Sequence, residues 1–291
     1  MIHWTKAGIV PSPKTVQIRI TGSHLSALKA GAPMTQQILS PEAFLENLQY
    51  FRIGLDGPRS IPCTSLTLSG LPHDTVPYLS HLQTVKFDYV VAHIDHASVD
   101  WHMLHPFDQQ IHRFAIPIQK EALESLYKIP TWALLKSTFI LVLTSDLPDI
   151  FKEIQHSLPQ WHSLVFSYPF PLGTQSSWSP QDCQNWLIQQ QTFLQNLPYA
   201  PIIKGLPSCL MQSPFVLHSK TSNRWYVDNA HQQTQALLFF PDITCFYKDD
   251  QCRYCRFDQQ CDGFFTEYLS RYHIMLNCIT DSSDLFGEYL G

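Results

Sequence analysis

Thr138-Phe139-Ile140-Leu141-Val142-Leu143-Thr144 is an unbroken apolar run bounded by threonines, and it sets the fold class. Such a run, rich in branched and aromatic residues, reads as a strand buried on both faces, which is how strands of a parallel sheet read. Pro148 to Leu158 follows with helical spacing. Leu164-Val165-Phe166-Ser167-Tyr168 then returns as a second apolar strand. Strand, helix and strand over this length form a βαβ unit.

The same rhythm extends upstream. Lys14 to Thr21 alternates β-branched residues and stops at Gly22. Ser40-Pro41-Glu42 opens a helix with Ser40 as N-cap and Pro41 at the first helical position, and Phe44, Leu45, Leu48 and Phe51 form its apolar face. Thr64 to Ser69 is a short buried strand ending at Gly70. Val76 to Leu82 reads as a helix, Phe87 to His93 and Arg113 to Ile118 as strands, and Lys120 to Tyr127 as a helix. These make about six β-then-α units over roughly 170 residues, ordinary spacing for a parallel sheet with helical crossovers. The expected fold is therefore α/β, a partial (β/α)6 barrel, because the count stops short of a full eight-fold barrel.

Downstream, Trp178-Ser179-Pro180 starts a long helix to Leu197, with Ser179 as its cap. After Pro198 the style changes to short β-like runs, close-set cysteines and a last helix-like segment, Phe264 to Tyr272. The expected division is a barrel over 1–198 and a small cysteine-rich extension over 199–291.

The chain has 291 residues, enough for a large core without covalent staples. Charged residues make up only 15%, against a usual quarter, and a surface covered by a partner is one explanation. The formal charge of −5 argues against nucleic-acid binding. The expected setting is cytoplasmic, with neither a membrane span nor a secretory signal at Met1 to Lys6.

In a reducing compartment clustered cysteines read as metal ligands rather than disulfides. Of 8 cysteines, Cys209, Cys245, Cys252, Cys255 and Cys261 lie in the last third. Cys252-Arg253-Tyr254-Cys255 is a C-x2-C pair, and Cys261 follows closely. A tight turn brings such a pair of sulfurs to one side. Structural zinc and iron–sulfur clusters both take four ligands, so a fourth must come from elsewhere. Cys209 and Cys245 are the candidates, with His273 as a further option for zinc. Spacing alone does not choose between zinc and iron–sulfur.

The stretch C-x2-C-x5-C-x-G-x4-Y from Cys252 to Tyr268 resembles the C-terminal auxiliary-cluster segment of radical SAM enzymes with SPASM-like tails. Gly205-Leu206-Pro207-Ser208-Cys209-Leu210 is similar to the segment that supplies an upstream ligand in some of them. Val16 to Gly22, Leu39 to Phe44, Leu66 to Gly70 and Phe166 to Gly173 resemble, in order, the first barrel strand, the helix after the cluster loop, the second strand and the end of a later one. The resemblance covers nearly the whole chain. It implies an auxiliary [4Fe–4S] cluster on Cys209, Cys252, Cys255 and Cys261, with Cys245 as the alternative fourth ligand.

The departures define the expected role. Radical SAM enzymes carry C-x3-C-x2-C directly after the first strand; here the matching positions hold His24, Leu28 and Gly31. The family's Gly-Gly-Glu-Pro turn is replaced by Gly70-Leu71-Pro72-His73, with no acid to hold the SAM amine. SAM binding is therefore not expected. The resemblance implies a non-catalytic, pseudo-radical-SAM subunit. It would form a hetero-oligomer with an active radical SAM protein in maturing a peptide or small metabolite, as scaffold, substrate presenter or electron carrier.

Two other readings stand beside it. His93, His96, His102 and His105, with Asp95 and Asp100 between them, form a patch at the carboxyl end of a strand, where α/β barrels place their sites. His93 and Asp95 are the candidates there for a metal-dependent enzyme, although 14 histidines dilute the signal. The other reading is a structural zinc protein used for binding. Cys63 and Cys183 read as packing residues.

Overall fold

The computed structural model describes residues 2–5, 8–22, 37–53, 62–169, 178–211, 217–218, 223–239, 246–276 and 279. In chain order the strands are β1 (Ile2–Thr5), β2 (Gly8–Pro11), β3 (Thr15–Arg19), β4 (Ser65–Ser69), β5 (Tyr89–His93), β6 (Arg113–Pro117), β7 (Ser137–Val142), β8 (Leu164–Ser167), β9 (Ile202–Lys204), β10 (Leu217–His218), β11 (Arg224–Val227), β12 (Leu237–Phe239), β13 (Phe246–Tyr247) and β14 (Phe264–Phe265). The α-helices are α1 (Pro41–Ile53), α2 (Val76–Leu79), α3 (Trp101–Leu104), α4 (Thr131–Leu134), α5 (Leu147–Ile154), α6 (Pro180–Gln189), α7 (Gln191–Gln195), α8 (Ser208–Met211) and α9 (Thr266–Tyr272). The chain is α/β, with largely parallel strands and helices in the connections. It divides into two compact units, 1–137 with 222–240, and 138–221 with 241–291. The boundary expected near residue 198 falls inside the second unit.

In the first unit β3, β4, β5 and β6 lie side by side and parallel. Their inner residues carry the core: Val16, Ile18, Leu66, Leu68, Val90, Ala92, Phe114 and Ile116 are buried. Each large apolar side chain removed from water contributes about 1.5–3 kcal/mol. β11 extends this sheet on the far side of β3, parallel to it, and β12 follows antiparallel. A separate antiparallel hairpin, β1–β2, precedes β3.

Helix α1 begins as its sequence dictates. Ser40 Oγ accepts the Ala43 N–H at 3.2 Å, and Pro41 occupies the first turn. Phe44, Leu48 and Phe51 are buried, but Leu45 is only half-buried, and Asn47 takes the remaining core position. Asn47 earns that place by hydrogen bonding. Its Nδ2 donates to Ala43 O (2.7 Å) and Gln232 Oε1 (3.1 Å), and its Oδ1 accepts the Gln233 N–H (2.9 Å).

In the second unit β7, β8, β9 and β10 are parallel neighbours. Helix α5 lies between β7 and β8 in sequence and buries Leu147, Ile150, Phe151 and Ile154. The long helix expected from Trp178 to Leu197 is two helices, α6 and α7, divided at Gln190. Ser179 and Asp182 form a reciprocal capping box at its start. Trp186 and Phe193, one from each piece, both stand edge-on to Phe151. The helix expected over Lys120 to Tyr127 is a 3-10 segment, Lys120–Lys128, with a kink at Ala122. Among the described residues, no helix is long and apolar enough to cross a membrane.

Candidate metal centre

The cysteine-bearing loop grows out of an aromatic foundation. β13 and β14 pair antiparallel, Phe246 opposite Phe265 and Tyr247 opposite Phe264. Phe246 stacks on Phe265 at 4.3 Å, while Tyr168, from the end of β8, packs against Phe264 (5.5 Å) and Tyr268 (5.1 Å). Tyr168 also donates its hydroxyl to the Trp178 carbonyl. This ribbon fixes both ends of the loop 248–263.

Inside the loop the C-x2-C spacing acts through a 3-10 turn, Asp250–Tyr254. Asp249 caps it by accepting the Gln251 N–H at 3.0 Å. The Cys252 N–H donates to Asp249 O (2.9 Å) and the Cys255 N–H to Cys252 O (3.0 Å). Side chains three apart in a 3-10 turn eclipse one another, so the two thiols share one side. Lys248 clamps the far limb: its Nζ donates to Asp258 O and to Asp258 Oδ1, both at 2.7 Å.

Gly263 closes the loop and no other residue suits it. Its φ is +89°, and a Cβ there would stand 2.2 Å from Tyr247 O. The same Gly263 donates its N–H to Cys261 Sγ at 3.2 Å. Cys209 arrives from a distant segment. β9 ends at Lys204, Gly205 turns with φ +80° against Tyr168, and α8 begins at Ser208.

Cys209, Cys252, Cys255 and Cys261 line one cavity, together with Ser208 and Lys248. All four are half-buried, whereas Cys63 and Cys183 are fully buried. The cavity has about 330 Å³ of atom-free space with its open mouth counted, but only about 20 Å³ admits the centre of a water-sized body. That interior suits about one water, so a larger guest requires the loop to move outward. Gln251, Arg253, Tyr254 and Arg256 on its outer side are exposed. Among the described residues, no three His, Cys, Asp or Glu side chains form a group that would hold a metal ion.

Thiol chemistry in the cavity is set by burial. Desolvation raises the pKa of Cys252 and Cys261; for Cys261 the Gly263 N–H and the Lys248 ammonium oppose that shift. Metal binding at these thiols therefore displaces protons. Cys63, with no such opposing donor or cation, is pushed up to about 12 by burial.

The donor set fits a thiolate-bound metal or cluster. Ser208 adds a second indication: its Oγ is buried and has no hydrogen-bond partner among the described residues, although it belongs to a lining residue of the same cavity. A buried hydroxyl without a partner costs about 1–3 kcal/mol, and a sulfur-rich guest would offer it an acceptor.

The other candidates fare differently. Cys245 and the loop positions His24, Leu28 and Gly31 lie outside the described residues. His273 has left-handed backbone geometry at the end of α9 and does not line the cavity. His93 is half-buried at the end of β5. Asp95 spends its carboxylate on its own turn, accepting from Ala97 N (3.1 Å) and Ser98 Oγ (2.9 Å). The buried histidine of the patch is His96, whose Nδ1 stands 2.5 Å from Ser125 Oγ. Sequence reasoning missed Lys248, Ser208 and the N–H of Gly263 as parts of the thiol site. The glycine two residues after Cys261 was the signal present for Gly263; Lys248 and Ser208 had none. Comparison with known proteins finds no family model and no curated protein that matches the chain.

Proposed function

We propose that this chain is a non-catalytic, radical-SAM-like subunit that holds an auxiliary [4Fe–4S] cluster on Cys209, Cys252, Cys255 and Cys261. In this reading its parallel strands belong to a partial (β/α)6 barrel. It acts beside an active radical SAM enzyme in the maturation of a peptide or small metabolite. The observation that carries the proposal is that four half-buried thiols from two remote segments line one cavity.

Two considerations support a cluster over a single zinc ion. A tetrahedral zinc site draws its sulfurs tightly round one ion, at about 2.3 Å each, whereas a cubane spreads them. The buried Ser208 hydroxyl and the Gly263 N–H are donors suited to cluster sulfur.

The chain's own residues then have defined tasks. The four thiolates hold the cluster and leave no iron open to substrate, which suits structure or electron transfer. Lys248 ties the Asp258 limb to the base of the loop and places a positive charge beside the thiolates. The aromatic ribbon excludes water from the inner side. A radical SAM centre needs an open iron held by three protein ligands, and His24, Leu28 and Gly31 supply at most one.

Anaerobic purification followed by iron, sulfide and zinc analysis tests this reading. The expected outcome is iron and sulfide in equal amounts with a broad visible absorption, lost in Cys209→Ala. Zinc with neither iron nor sulfide overturns the cluster and favours a structural zinc site. Co-purification with a radical SAM protein tests the subunit role, and a free monomer with no such partner removes its basis.

A further inference from the structure

The first unit contains a groove of about 530 Å³ lined by His73, Trp101, His102, His105, Lys128 and Trp132, with Asp100 at its edge. This volume lies in the range of about 300–1,000 Å³ typical of small-molecule sites. We infer that the groove binds a small molecule carrying an aromatic ring and a carboxylate.

The aromatic side of the groove is held in place. Trp101 is almost fully buried and stands edge-on to Phe114 (5.6 Å) and Trp132 (6.1 Å). Trp132 also packs against Phe114 (5.7 Å) and His105 (5.1 Å). A ring entering the groove therefore meets indole surfaces whose orientation is already set, which lowers the ordering cost of binding.

The polar side carries the Lys128 ammonium and three imidazoles. The side chains of His73, His102 and Lys128 are exposed and make no hydrogen bond or ion pair with any described residue. The opposing carboxylate, Asp100, is engaged: its Oδ1 accepts the His102 backbone N–H at 2.9 Å and caps α3. The groups left for a ligand are the Lys128 ammonium and the imidazole N–H donors, and their complement is a carboxylate next to an aromatic ring. The inference does not depend on the thiol site, whose residues are all in the other unit.

Ligand-observed NMR titration of the full chain with phenylacetate, and with phenylacetamide as its uncharged match, tests it. Phenylacetate is expected to bind saturably and about tenfold more tightly than the amide. The double variant His102→Gln, Lys128→Gln changes exposed side chains only and is expected to retain the fold. It should reduce the affinity for phenylacetate about tenfold and leave the amide unchanged, while Trp132→Ala should weaken both. Equal binding of acid and amide, no saturable binding through the millimolar range, or wild-type affinity in the double variant would overturn the inference.

Discussion

Two cavities of this chain are lined by cysteines or histidines, residue types able to bind metals, and they are built on opposite plans. The thiol cavity is small, and three of its four half-buried cysteines lie on a loop fixed at both ends by paired strands. The imidazole groove is large and open, and its histidines are exposed beside a fixed aromatic wall. Richness in histidine or cysteine is therefore a poor guide by itself. What separates the two is how the donor-bearing segment is held: a positive-φ glycine and a lysine clamp fix the loop that carries the cysteines, whereas His102 and His105 sit on short helical turns with their side chains exposed.

The comparison breaks most sharply on the ligands themselves. Cys252→Ala or Cys255→Ala should abolish iron binding, measured as iron per chain after anaerobic reconstitution. Cys63→Ala and Cys183→Ala should keep full iron and lose only about 1 kcal/mol of stability each through lost packing. Loss of iron in the buried pair, or its retention in the loop pair, would erase the distinction between the two classes of thiol.

Gly263→Ala comes next. The added Cβ meets the Tyr247 carbonyl and the residue must leave φ +89°. Strain of about 1–3 kcal/mol should open the loop, so that iron content falls by more than half while the far-ultraviolet spectrum stays native. His102→Gln, at the open groove, should leave iron content untouched.

Smaller effects separate the two units. Asn47→Ala removes the acceptor for the Gln233 N–H and should destabilise the first unit by about 1–3 kcal/mol, read by urea unfolding. Iron per folded chain should not change. Lys248→Gln breaks the link to Asp258, whose two partners are each about a quarter exposed. It should speed loss of iron to a chelator severalfold and lower the cluster's reduction potential, because the reduced state carries more negative charge.

The smallest effect concerns pH. The Cys63 thiol keeps its proton in the fold up to about pH 12, whereas an unfolded thiol loses it near 8.5. Its contribution is whole below about pH 8.5 and drains as pH rises towards 12. Metal-free protein should therefore lose stability over that range, and Cys63→Ala should flatten the slope.

Much of the fold was legible. Apolar runs such as 138–144 and 164–168 became strands because burial on both faces leaves a signature independent of neighbours. Ser40 and Ser179 marked helix starts because their cap bonds are local. What stayed hidden was non-local. β11 joins β3 across some two hundred residues of sequence, and no periodicity announces such a partner. Asn47 resembles a surface residue until Gln232 and Gln233 are seen beside it. In the site, the C-x2-C pair and Cys261 were legible through spacing, and Cys209 through resemblance. Lys248 and Ser208 were not, because a lysine and a serine acquire meaning there only from what the fold sets next to them.

The central claim is that Cys209, brought from a distant segment, completes a four-thiolate cluster site with Cys252, Cys255 and Cys261. Iron and sulfide analysis of anaerobically reconstituted wild type beside Cys209→Ala measures this directly. The account predicts equal iron and sulfide in the wild type and a sharp loss of both in the variant. Full iron and sulfide in Cys209→Ala, or zinc alone in the wild type, would contradict it.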